Sequence, residues 1–159
     1  MRRTMLALAL TAATFAAQTQ SAHADTALKT YRDAMRPFLP VITDWTVEAE
    51  RFGEVALTKP ELVCQPEAAE MARRGLSIAH DLAGTAAPEA LDGAQSELTT
   101  AVADMSAALT AACGQTTPLA TTLTPSVDRA ERALVVLRMF VNRGGAPISL
   151  PIPGPGQTH

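Results

Sequence analysis

The sequence predicts an all-α fold, an antiparallel four-helix bundle with a kinked first helix and one disulfide-stapled hairpin. Three observations carry that prediction. Apolar residues recur every three or four positions in four separate stretches, and no stretch alternates with period two for long enough to make a strand. Ala, the strongest helix former, leads the apolar fraction. Aromatic residues make up only 4% of the chain, so the expected core is thin, built from small side chains that let helices approach closely.

The first segment, residues 1–24, reads as an export signal. Arg2 and Arg3 form a positive start, Met5 to Ala17 is an apolar run, and Ala22-His23-Ala24 supplies the small-x-small pattern cut by a signal peptidase. The run falls short of the roughly 20 residues that a bilayer-spanning helix requires. No Cys lies near the cut, so the pattern of a lipid-anchored precursor is missing. The expected mature chain starts at Asp25 and is exported to the periplasm, the envelope or the medium. Mass spectrometry of the exported protein should find Asp25 as its first residue. A form that retains Met5 to Ala17 would contradict the export reading.

Residues 25–145 read as the bundle domain. Phe38, Val41, Trp45, Ala49, Phe52 and Ala56 step at helical spacing, giving helices over 26–36 and 40–57 that join into one helix kinked at Pro37 and Pro40. Ala72, Leu76, Ala79 and Leu82 mark a second helix over 66–83. Leu91, Ala94, Leu98, Ala101, Met105, Ala108 and Ala112 mark a third over 88–113. Val127, Ala130, Leu134, Leu137 and Val141 mark a fourth over 125–143, with an extra turn at Leu119 to Leu123 in the connection before it. Pro66, Pro88 and Pro125 suit the first helical position, where a missing N–H costs nothing. Thr124 suits the N-cap before Pro125, and Asp128 suits the first turn. Gly84, Gly114 and Gly144 suit the left-handed position that follows a helix.

The short connection at 84–87 makes the second and third helices antiparallel neighbours. Cys64 then lies just before one of them and Cys113 at the end of the other, at the same end of a hairpin. In an exported chain these two cysteines are expected to form a disulfide. Their spacing excludes a CxxC redox pair, a c-type haem attachment and a four-cysteine zinc site. From Ala146 the character changes: Pro147, Pro151, Pro153 and Pro155 with Gly154 and Gly156 forbid helix, so 146–159 reads as a disordered Pro/Gly-rich tail.

Charge and composition narrow the function. Without residues 1–24, basic residues fall from 13 to 11 against 16 acidic ones, a net charge of −5. No basic cluster remains to gather nucleic acid or an anionic membrane. The mature chain has only His80 and the terminal His159, and Ser77, not Glu, stands three residues before His80, so the Glu-x-x-His motif of di-iron bundles is absent. Met35, Met71, Met105 and Met139 are spread over four segments and read as core filler. Ser77, His80 and Asp81 lack the elbow and oxyanion loop of a hydrolase. Asp44 and Glu48 pair at i, i+4 beside Trp45 and read as a solvated acidic face, while Glu70 and Arg74 read as an exposed ion pair. Trp45 reads as the one large core anchor, packed over Gly75. The expectation is a non-catalytic interaction module with no cofactor or metal, which binds an unknown protein partner or further copies of itself. Its candidate surface or anchor residues are Trp45, Asp44, Glu48 and His80. The alternative is a carrier of a small apolar ligand or cofactor between the helices.

Overall fold

The computed structural model describes the backbone of residues 5–143 and the side chains of residues 25–143. Gly144 and the expected tail at 146–159 lie outside the described residues, as do the side chains of the expected export signal. The described residues form four α-helices: α1 (Met5–Ala56), α2 (Pro66–Gly84), α3 (Glu89–Ala111) and α4 (Leu119–Asn142). A 3₁₀ turn at Pro60–Cys64 leads into α2, and no strand occurs among the described residues. The fold is an all-α helical bundle closed by a disulfide between Cys64 and Cys113.

Prolines divide neither α1 nor α4. α1 runs unbroken through Pro37 and Pro40. The carbonyls that these prolines leave without an intrahelical donor belong to Asp33 and Arg36, both exposed, where water can take the bond. α4 corrects the expected start at Thr124–Pro125: it begins six residues earlier, with Pro118 as its N-cap and Pro125 inside it. Thr124 does not cap. Its hydroxyl donates to the Ala120 carbonyl one turn back, at 2.9 Å. Pro125 denies a bond to the carbonyl of Thr121, which is also exposed. Pro66 opens α2 as expected, whereas Pro88 is the N-cap of α3 and not its first residue. Gly84 is the last residue of α2 without a positive φ; Gly114 alone among the described residues adopts the left-handed conformation, with φ 87°.

Cross-helix contacts fix an up-down-up-down arrangement. Tyr31 of α1 meets Phe140 of α4 at one end, with ring centroids 6.1 Å apart, and Gly53 lies against Ala120 and Leu123 at the other. The side chain of Gln95 on α3 donates to the carbonyls of Leu82 and Thr85, tying off the α2–α3 turn. At the far end of that hairpin the disulfide joins Cα atoms 4.7 Å apart across a sequence separation of 49. α2 packs on α3, α3 on α4 and α4 on α1 along their lengths, while α1 and α2 meet over a much shorter stretch.

The core stripes of α3 and α4 lie where the periodicity puts them: Leu98, Ala101 and Met105 are fully buried, and all five marked residues of α4 are buried. Two other expectations are corrected. Val41 is 51% exposed and Leu76 is 50% exposed. The inward face of α1 is Tyr31, Met35, Leu39, Ile42, Trp45, Ala49 and Ala56, with Phe38 and Phe52 half-buried. That of α2 is Ala68, Met71, Ala72, Gly75, Ile78, Ala79 and Leu82.

The short α1–α2 contact is centred on Trp45, which is 3% exposed. A Cβ built on Gly75 would collide with the six-membered ring of Trp45 and with the hydroxyl of Ser106, so only glycine fits there. The indole N–H donates to the Met71 carbonyl at 3.0 Å, satisfying the one polar atom of a buried Trp.

Tyr31 is buried with a hydroxyl that has no hydrogen-bond partner. Burial pushes its phenol from 10.0 up to about 12. The folded state therefore holds this proton more tightly than the unfolded state does. The associated stability is fully present below pH 10 and is lost as pH rises toward 12. Urea midpoints should fall across that window in the wild type, and Tyr31→Phe should remove this part of the fall. At neutral pH the variant should be at least as stable as the wild type, because the hydroxyl it deletes is buried and unpaired. A marked loss of stability at neutral pH would contradict this account.

Candidate functional site: a groove between α1 and α2

Beyond the Trp45–Gly75 contact α1 and α2 leave a groove of about 440 Å³. Its floor is Trp45 and Ile78, both buried, and its apolar wall is Phe38 and Val41 on α1. Asp44 and Glu48 of α1 and Arg74, Ser77 and Asp81 of α2 form the rims. Asp44 and Glu48 follow from the helical repeat, since residues three or four apart share a face. Arg74, Ser77 and Asp81 repeat in the same way on the facing helix.

Arg74 corrects the expected pair with Glu70. It reaches across the groove to Glu48 at 2.7 Å, and Glu70 pairs instead with Arg73. All four side chains are substantially exposed, so each pair is worth less than about 1 kcal/mol. Asp44 and Asp81 have no cation partner among the described residues. The groove thus has one neutralised end, at Glu48–Arg74, and two unpaired carboxylates toward Phe38 and Val41.

Of the residues singled out in the sequence, the structure brings together Trp45, Asp44 and Glu48. Trp45 contributes as a rigid buried floor and leaves the exposed apolar contact to Val41. His80 is exposed on α2 and does not line the groove. Cys64 and Cys113 are held in the disulfide at the far end of α2 and α3. Sequence reasoning missed Arg74, Ser77, Asp81, Phe38, Val41 and Ile78 as groove residues. The signal that could have found them was the Trp45–Gly75 contact: antiparallel helices registered at that point bring Glu48 to within about 3 Å along the axis of Arg74, inside the reach of its long side chain.

Ser77 lines the groove with Asp81 one turn further on, but no imidazole accompanies them. Among the described residues no three His, Cys, Asp or Glu side chains gather closely enough to hold a metal ion. No helix of the described residues is long and apolar enough to cross a membrane. What the groove offers chemically is an apolar surface bordered by negative charge.

The fold and site together define a disulfide-closed helical bundle with an open groove between α1 and α2. No protein-family model, curated protein or solved structure matches the chain.

Proposed function

We propose that the protein is an exported, non-catalytic interaction module that binds a protein partner through the α1/α2 groove. The observation that carries this reading is Val41. It stands exposed on the helix that supplies the largest core side chain, above a floor that Trp45 and Gly75 hold rigid. An apolar side chain on a rigid support beside polar rims is the usual anatomy of a binding surface. Export is supported by the residue 1–24 pattern and by the disulfide, which persists in oxidising compartments.

The carrier reading is less well supported. At the middle of the bundle Gly75, Trp45 and Ser106 are in such close contact that not even a methyl group fits. A small ligand would have to lie in the open groove and not between the helices.

Co-purification from the native envelope tests the proposal with Val41→Asp and, as a control, Val135→Asp. The two valines are exposed alike, at 51% and 53%, and lie on different helices. Val41→Asp should lose the partner at an unchanged melting temperature, and Val135→Asp should retain it. Equal recovery by both variants would contradict the assignment of the groove.

A further inference from the structure

The α1/α2 groove is charged as well as apolar, and that charge selects its occupant. Glu48 faces Arg74, and both helices rise about 1.5 Å per residue in opposite directions. Counting seven residues along each from that pair sets Asp81 opposite Val41. Asp44 follows Val41 by one turn on the α1 rim. The exposed valine therefore stands between unpaired carboxylates on the two rims.

Two occupants fit this charge poorly. A second copy would set the same acidic rims against each other, a like-charge juxtaposition that opposes pairing. The chain's own residues 144–159 carry Pro and apolar residues but no Lys or Arg to neutralise the rims.

We infer that the groove takes a basic amphipathic helix, its apolar side chains on Phe38, Val41 and Ile78 and its Lys or Arg side chains beside Asp44 and Asp81. This rests on the reading of the groove as the partner face and adds the chemistry of the partner. From Phe38 to Glu48 the groove runs about 15 Å along α1, room for about three turns of a helix. A helix laid along two others matches ridges to grooves in the way the bundle itself does. Apolar anchors at helical spacing supply the affinity, and the flanking charges set orientation and partner choice.

The probe is a fluorescein-labelled peptide of about 14 residues, four turns of helix, with Leu on one face and Lys on the other. Its binding to the mature protein is followed by fluorescence anisotropy. A peptide of the same pattern with Glu for Lys is the first control. The protein is compared with Asp44→Asn/Asp81→Asn and with Asp128→Asn/Glu131→Gln, which removes the same charge from exposed positions on α4. The Leu/Lys peptide should bind, more weakly as salt rises, because exposed pairs are screened. Removing both rim carboxylates should weaken it about fivefold, the loss expected for two exposed ion pairs. The α4 variant should bind like the wild type.

Equal binding of the Leu/Glu peptide would overturn the inference. So would equal weakening by the two double variants, which would reduce the effect to overall charge. The failures separate cleanly. If Val41→Asp still abolishes native partner capture while the rim carboxylates prove irrelevant, the groove stands and the basic-helix chemistry falls. If Val41→Asp affects neither peptide nor partner, the groove itself is the wrong face.

Discussion

Trp45→Ala is expected to cost about 3–5 kcal/mol, the range for large aromatic truncations in a core. Domains of this size are stable by about 5–15 kcal/mol in total, so the variant should lose a large share of its stability at room temperature. Three losses combine: the buried indole itself, the hydrogen bond to the Met71 carbonyl, and the contact with Gly75 that joins α1 to α2. The α1–α2 interface has little else to replace it. Gly75→Ala attacks the same contact from the other side, with a Cβ driven into the indole. It should destabilise despite the higher helix propensity of Ala, which alone would favour the change by about 1 kcal/mol. Trp45 is the only Trp in the chain, so fluorescence reports on it alone. Native emission should be blue-shifted and should move to the solvent value on unfolding. A solvent-like spectrum from folded protein would overturn the core assignment.

The second large effect concerns the disulfide. Closing a loop across 49 residues is worth about 4 kcal/mol on the chain-entropy account. Cys64→Ser/Cys113→Ser should lower the urea midpoint accordingly. Far-UV helicity should largely persist at low denaturant, because α2 and α3 pack along their lengths and Gln95 ties their other end. Native protein should titrate no free thiol, and reduction under denaturing conditions should release two. Two thiols titrating in the native protein would contradict both the pairing and the register of the α2–α3 hairpin.

How far the sequence could be read depended on what each pattern measures. Helix number, the hairpin and the cysteine pairing were legible because punctuation and loop length are local. The Trp45–Gly75 contact was legible because a glycine inside a helix calls for a bulky neighbour. The inward face of α1 was not. Phe38, Leu39, Val41, Ile42 and Trp45 are all apolar, so two overlapping stripes share Trp45, Ala49 and Ala56. Only the packing of α1 against α4 selects the one through Ile42 and leaves Val41 outside. Leu76 was misplaced for a related reason: the smaller Gly75 faces inward because Trp45 needs the room.

The start of α4 was hidden by Pro125, which looks like a first-turn residue until the exposed Thr121 carbonyl is seen beneath it. Arg74 was assigned to the nearest acid in sequence. A neighbouring helix offered Glu48, and tertiary register overrode the local pair. The site suffered most from these errors. A groove between two helices depends on both faces and their register at once, and its apolar wall is the residue that periodicity had placed in the core.

Photo-crosslinking in the native envelope tests the central claim most directly. A photoreactive phenylalanine analogue is placed at position 41, in the groove, or at position 135, on the outer face of α4. Both positions are exposed, so neither substitution disturbs the core. The account predicts a partner adduct from position 41 and none from position 135. An adduct from position 135 alone, or none from position 41, would contradict it.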